Sequence, residues 1–301
     1  MPLRTEWFRL IRWQNLLIIF LTQLVVWYCL IVPCNPTVLL PVRFLLLSLS
    51  TVLIAAAGYI INDYFDIRID QVNHPEKVVL GKSIPRKNAI VAHTVINIVA
   101  LVLAGYVAAS ARHYEWLLIQ LGCTGLLWFY STTYKRQYLT GNITVALLTS
   151  LTIISLYIYE PAMRLPAASL PVWVLAVYAF FAFMLTWIRE LIKDMEDLEG
   201  DAAGGCVTIP IRRGLLYATR YASVLAMLVI LPLLFSAAAL YHFGYYILTI
   251  YVLALLVLPL AGWIFFLWKG PPGSAHYHKC SRWLKIIMIL GICSLLIYKI
   301  H

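Results

Sequence analysis

Asn62-Asp63-Tyr64-Phe65-Asp66-Ile67-Arg68-Ile69-Asp70 follows directly on an apolar run long enough to cross a bilayer. On a helix of about 3.6 residues per turn, Asp63, Asp66 and Asp70 stand at i, i+3 and i+7, so three carboxylates share one face with Asn62 beside them. Like charges on one stripe repel. A cation among them relieves the repulsion, and an all-oxygen donor set suits a hard divalent ion such as Mg2+, which commonly shares its coordination with a substrate phosphate.

The spacing recurs 131 residues on, from position 63 to position 194, in Asp194-Met195-Glu196-Asp197-Leu198-Glu199-Gly200-Asp201. A single acid cluster at a helix end is often merely solvated. Two clusters with the same spacing, each after an apolar run, argue for two halves of one ligand site.

Outward from these motifs the chain is greasy: 62% of its 301 residues are hydrophobic and 12% charged, with a mean hydropathy of +0.85, against about 25% charged in soluble domains. This is the composition of an integral membrane protein. Barrel strands would alternate over roughly ten residues, so long unbroken apolar runs predict an all-α membrane protein. Nine runs approach the ~20 residues of a crossing: about 15–32, 42–62, 88–110, 115–133, 143–159, 169–190, 217–240, 244–268 and 284–300. They predict nine transmembrane helices in one bundle, a single transmembrane domain over residues 1–301, with the termini on opposite faces. The basic N-terminus lacks a small-residue cleavage site and reads as the start of a mature helix. The six cysteines form no CxxC pair and read as buried small hydrophobes; His276 and His278, beside a Gly/Pro-rich turn, read as solvated.

With the N-terminus cytoplasmic, that side holds nineteen of the 23 Lys and Arg residues, leaving Arg43, Arg112, Arg164 and Lys299 opposite. This positive-inside asymmetry assigns the net charge of +10 to topology rather than to nucleic-acid binding. Counting crossings then places both acid motifs, and the loop carrying Tyr130, Lys135 and Arg136, on the cytoplasmic side.

Cations accompany the acids. Asn73, His74, Lys77, Lys82, Arg86 and Lys87 follow the first motif, and Arg189 and Lys193 precede the second at i and i+4. A diphosphate bridged by Mg2+ needs both signs, carboxylates for the metal and Lys or Arg for the remaining oxygens. Behind the mouth lie Tyr59, Tyr64, Phe65, Trp128, Phe129, Tyr130, Tyr134, Phe183 and Trp187. Some such aromatics form an interfacial belt; others can face an allylic carbocation.

The chain resembles the UbiA superfamily of intramembrane prenyltransferases. The family's Asn-Asp-x-x-Asp-x-x-x-Asp stands here as Asn62, Asp63, Asp66 and Asp70, and its second motif as Lys193 to Asp201 followed by Thr208-Ile209-Pro210. The likeness also covers Arg12 to Asn15, Asn73 and Pro75, Tyr130 to Lys135 and Gly141-Asn142, and thins to hydropathy after about residue 214. The form Arg-Glu-x-x-Lys-Asp-x-x-Asp-x-x-Gly-Asp is most similar to the geranylgeranylglycerol-phosphate geranylgeranyltransferase branch. One loop departs: His74 and Val78 replace the Arg and Pro of Asn-Arg-Pro-x-Arg-Pro, with Lys77 standing for the second Arg.

The resemblance implies nine helices around a central cavity, Mg2+ between the motifs, and transfer of an isoprenyl group from its diphosphate to a hydrophobic or aromatic acceptor. Asn62, Asp63, Asp66, Asp70, Asp194, Asp197 and Asp201 would form the metal platform. Lys77, Lys135, Arg189 and Lys193 would hold the diphosphate. Arg12, Asn15, Asn73 and Tyr130 would border substrate, with Asp66, Asp197, Lys135 and Tyr130 closest to the chemistry. The motif form favours a geranylgeranylglyceryl phosphate-like lipid acceptor. Rivals are prenylation of a hydroxybenzoate or dihydroxynaphthoate, a terpene cyclase with no acceptor, and, outside enzymes, a cation transporter with an acidic ion path.

Overall fold

The computed structural model describes residues 3–73, 75–76 and 78–300; His74 and Lys77, the latter expected at the diphosphate, lie outside them. Among the described residues the chain is helical throughout, and the only β pairing is an isolated bridge between Leu80 and Ile84. Among the described residues eight helices are long and apolar enough to cross a membrane: Trp13–Cys34, Pro41–Asn73, Arg86–Ser110, Thr140–Ile158, Pro166–Glu196, Leu215–His242, Tyr246–Lys269 and Ser274–Ile300. Leu117–Thr132, at the position of the fourth expected crossing, has 16 residues, about 24 Å of helix.

Two boundaries differ from expectation for the same reason. The second helix (α3, Pro41–Asn73) continues past its apolar run and carries the whole first motif on unbroken helix. The last (α13, Ser274–Ile300) starts ten residues before its apolar run, at the end of the Gly270–Gly273 turn. Polar ends of long helices are invisible to hydropathy. His276 is consequently a buried helical residue against Phe266 and Tyr277 rather than a solvated loop histidine. No disulfide joins the six cysteines, and Cys29, Cys206 and Cys280 are buried.

The chain divides into two compact units. The first comprises Met1–Lys135 and Leu151–Leu175. Here α1 (Leu3–Leu10) and α2 (Trp13–Val26) precede α3, which packs with α4 (Arg86–Ser110) and α5 (Leu117–Thr132). Gly58 lets α3 approach α5, because a Cβ there would come within 2.9 Å of the Leu127 methyls. Leu10 of α1, Ile60 of α3 and Val79, Leu80 and Ile84 of the following loop form a small core under the first motif. Two buried polar side chains, Gln23 and Glu160, are satisfied within the unit. Gln23 is fully buried and meets Ser48, Thr51 and the Thr152 carbonyl. The Glu160 carboxylate accepts from the backbone N–H of Thr37, Val38, Leu39 and Ala162 and from the Thr37 hydroxyl.

The second unit comprises Arg136–Ser150 and Ala176–His301. Its core joins α7 (Ser169–Glu196), α10 (Leu215–His242), α12 (Leu258–Lys269) and α13 through residues such as Ile188, Leu191, Ile192, Ala222, Trp263 and Leu284, all buried. Tyr178 of α7 hydrogen-bonds Ser294 of α13, and Glu196 at the end of α7 meets His278 at 2.7 Å near the start of α13. The two helices therefore run antiparallel. Leu118, Val102, Phe235, Ile250 and Ile286, among many large apolar residues, are exposed, which suits a lipid-facing surface.

Candidate active site

The first unit gathers most of the expected residues around α3. Arg12 caps the start of α2 in the left-handed region, at φ 52° and ψ 51°. A non-glycine residue pays for that conformation with strain, which calls for a compensating contact. The contact is the first motif: Arg12 Nη2 donates to Asp63 Oδ1 at 2.8 Å, and the guanidinium lies 4.9 Å from the Tyr59 ring centre. Tyr59 precedes Asp63 by one helical turn, so ring and carboxylate face Arg12 together. Burial opposes the charge on Arg12, but Asp63, Tyr59, Asp70 and Tyr130 outweigh it and raise its pKa.

Lys135 lies in the short turn after α5 and donates to Asp66, whose side chain is almost fully buried. Asp70, one turn on, lies within electrostatic reach of Lys135, Asp66, Asp63 and Arg12. Asn62 Oδ1 is buried with no hydrogen-bond partner. Asn15 is held by its backbone N–H to the Arg12 carbonyl at 2.8 Å, and Asn73 closes α3. Thus Arg12, Asp63, Asp66, Asp70, Tyr130 and Lys135 form one acid–base cluster.

The second motif is built differently. It does not occupy one unbroken helix: α7 ends at Glu196, Asp197 adopts φ −96° and ψ 14°, and α8 (Leu198–Ala203) restarts beyond it. The hydrogen-bond ladder still spans the break, from Asp197 N–H to the Lys193 carbonyl at 2.8 Å and from Asp201 N–H to the Asp197 carbonyl at 3.0 Å. Asp194 accepts from the amide of buried Asn142 at 2.8 Å, and Asp201 is 4% exposed. Arg189 and Lys193 are in contact with a buried carboxylate between them, Glu190, at 3.3 and 2.6 Å.

Asn142 and Glu190 were not singled out as site residues from the sequence, and Tyr59 was read only among the aromatics behind the mouth. Asn142 had a signal in the Gly141-Asn142 pair, whereas the role of Glu190 emerges only from its contacts. Thr186 Oγ1, Trp187 Nε1, Arg189 Nε and Thr208 Oγ1 are buried without partners, all on segments flanking the second motif. Native proteins rarely leave such groups unsatisfied, so each is a donor or acceptor open to a further polar partner, water included.

The donor chemistry of each motif suits Mg2+: the first offers three aspartates and the orphaned Asn62 Oδ1, the second three further aspartates, with no thiolate or imidazole among them. Among the described residues no three His, Cys, Asp or Glu side chains converge closely enough to hold an ion. In the first unit Arg12 and Lys135 instead neutralise two of the carboxylates.

Residues 14–286 match the UbiA prenyltransferase family. The digeranylgeranylglyceryl phosphate synthase of Methanopyrus kandleri is 31% identical over 263 residues, covering 85% of this chain and 88% of that protein. That of Ignicoccus hospitalis is 31% identical over 259 residues, covering 84% and 80%. In three dimensions the fold is similar to a digeranylgeranylglyceryl phosphate synthase (TM-score 0.67, 23% identity, 100% of this chain and 99% of that one). It is also similar to a UbiA homolog from Archaeoglobus fulgidus bound to DMAPP and Mg2+ (TM-score 0.63, 14% identity, 97% and 99%). An all-helical, multi-pass membrane chain with both acid motifs of this kind, matched over nearly its full length, belongs to the UbiA prenyltransferase family.

Proposed function

We propose that this chain transfers an isoprenyl group from an isoprenyl diphosphate to a glyceryl phosphate-type lipid acceptor, with Mg2+ as cofactor. The single observation that carries the reading is the cluster on α3, where Asp63 and Asp66 are held by Arg12 and Lys135 beside the partnerless Asn62 Oδ1. Cations already poised on the metal-binding carboxylates are what a site needs if it is to receive a polyanion and a divalent ion together. The relatives named digeranylgeranylglyceryl phosphate synthases support the lipid acceptor, and the Mg2+-bound homolog supports the metal.

In this reading Asn62, Asp63, Asp66, Asp70, Asp194, Asp197 and Asp201 are the oxygen donors that would hold Mg2+, which when bound would supply positive charge to stabilise a diphosphate leaving group. Arg12 and Lys135 turn from carboxylate to diphosphate oxygens, joined by Lys77, Arg189 and Lys193. Asn142 holds Asp194 in its ligating orientation. Asn15, Asn73 and Tyr130 border the substrates, and the apolar surroundings exclude water from the allylic cation left when the C–O bond to diphosphate breaks, until the acceptor hydroxyl forms the new C–O bond and gives up its proton to the released diphosphate. The whole chain, 1–301, acts as one catalytic domain. Leu117–Thr132 supplies a ninth crossing with the help of the preceding Tyr114–Trp116 turn, and both motifs face the cytoplasm, as the distribution of Lys and Arg supports.

Purified protein given labelled geranylgeranyl diphosphate with either geranylgeranylglyceryl phosphate or hydroxybenzoate and dihydroxynaphthoate tests the assignment. An ether lipid product made only with Mg2+ is expected; a prenylated aromatic acid alone, or a cyclic hydrocarbon without acceptor, overturns it. A cysteine replacing Asn73 should resist an impermeant thiol reagent in intact cells and react in inverted vesicles.

A further inference from the structure

The second motif lies at the carboxyl end of α7, where the helix stops at Glu196 and Asp197 leaves helical geometry at φ −96° and ψ 14°. An acid in the last turn of a helix faces the negative end of the helix dipole, so Glu196 is unfavourable there without a partner. Its side chain is 8% exposed, and a carboxylate withdrawn from water needs a hydrogen-bond donor. The donor is His278 in the second turn of α13, whose Nδ1 meets Glu196 Oε1 at 2.7 Å. The positive, amino end of α13 thus lies beside the acid that α7 disfavours.

The place of His278 is fixed by packing. His276 is buried with its ring centre 4.8 Å from that of Phe266, and Tyr277 is buried in the core of the unit. Trp263 Nε1 donates to the Cys280 carbonyl at 3.0 Å, which fastens α12 to α13. Gly270 makes the approach to α13 possible, since a Cβ there would come within 2.0 Å of the His276 ring. A histidine on so constrained a backbone holds Glu196 in one place. Glu196 in turn stands between Asp194 and Asp197. Asn142 fixes Asp194 ahead of it at 2.8 Å, and beyond it the direction in which the chain leaves α7 decides where Asp197 presents its carboxylate.

We propose that His278 is a positioning residue for the second motif: by holding Glu196 against α13 it sets the exit of the chain from α7 and so aims Asp197 at the metal. The role rests on the reading of that motif as a set of Mg2+ ligands, and it places a determinant of the site in the last helix of the chain.

Binding of Mn2+ to purified protein in detergent without substrate, followed by EPR, tests this, because Mn2+ shares the preference of Mg2+ for oxygen donors. H278A should weaken binding about ten-fold, the scale seen when a partner behind a metal ligand is lost, and H278F, which keeps a ring without the donor, should show the same loss. H278N, whose amide NH2 stands near the place of Nδ1, should bind within about three-fold of wild type. Because His278 acts through Glu196, H278A should cause no further loss in an E196A background. In turnover, the Mg2+ concentration for half-maximal rate should rise about ten-fold in H278A while kcat at saturating Mg2+ stays within about three-fold. Wild-type Mn2+ binding by H278A and H278F overturns the proposal, and so does an H278A loss of equal size with and without Glu196. D197A separates this role from the reading beneath it. Binding as tight in D197A as in wild type would remove the second motif from the metal site and His278 with it, whereas weak binding by D197A beside wild-type binding by H278A would refute the positioning role and leave the metal reading standing.

Discussion

The two acid motifs share a spacing and differ in everything that holds it. On α3 the stripe lies on unbroken helix, and its partners arrive from far away in sequence: Arg12 reaches Asp63 across 51 residues and Lys135 reaches Asp66 across 69. In the second motif the helix breaks at Asp197, and Asp194 is held by a neutral amide, Asn142, while the nearby cations Arg189 and Lys193 contact Glu190. Arg12 and Lys135 thus compensate charge on the first motif, and Asn142 orients Asp194 in the second. In the proposed reaction the first exchanges its cations for metal and diphosphate, and the second presents pre-set ligands.

The comparison breaks if either motif proves dispensable. Replacing Asp66 or Asp197 by Ala removes the middle oxygen donor of each stripe, and turnover should fall by at least 10²–10³-fold in each, the scale seen when one preorganised electrostatic contact is lost. Chelation with EDTA should abolish activity and added Mg2+ restore it. Product formation within ten-fold of wild type by D197A alone would make the second motif structural and reduce the platform to α3.

Arg12 sharpens the contrast, because its charge and its backbone are separable. Asn tolerates the left-handed conformation but lacks the cation, so R12N should fold normally and lose about 10–100-fold in kcat/KM for the prenyl diphosphate. Asn142 contributes orientation without charge; N142A should cost about ten-fold, with a higher Mg2+ requirement. If N142A proved more damaging than R12N, the assignment of compensation to one motif and orientation to the other would be reversed.

Legibility from sequence follows the same division. Local periodicity exposed both acid stripes, the apolar runs and the basic face, because helix geometry converts spacing into shared faces. Contacts that depend on which helices pack together were not exposed. Lys135 was anticipated from its motif, but its pairing with Asp66 requires α5 to lie against α3. Glu190 looked like one more helical acid, and His278 like a solvated loop residue, until the α7–α13 register brought it to Glu196. The break at Asp197 was hidden because neither Gly nor Pro marks it. Hydropathy also truncated α3 and α13, whose polar ends carry the chemistry.

A buried carboxylate outside both motifs serves as the reference for them. Glu160 has no metal-like spacing and no cation; two oxygens accept five hydrogen bonds, four of them from backbone N–H groups. Burial alone would raise its pKa, but the backbone donors from Leu39, Thr37, Ala162 and Val38 prevail and hold it below the ordinary value of 4.5. Its contribution to stability is therefore complete above pH about 4.5, where the unfolded chain is also ionised, and is lost as the pH falls from there through the folded value. Glutamine at this position would set an NH2 against N–H donors, at a cost of about 2–4 kcal/mol. E160Q should accordingly unfold several degrees below wild type in detergent at pH 7, with kcat for prenyl transfer unchanged below the transition, and the gap should narrow as the pH is lowered under 4.5. A gap that stayed constant across that range would show that the Glu160 charge contributes nothing, and that its oxygens act as neutral acceptors.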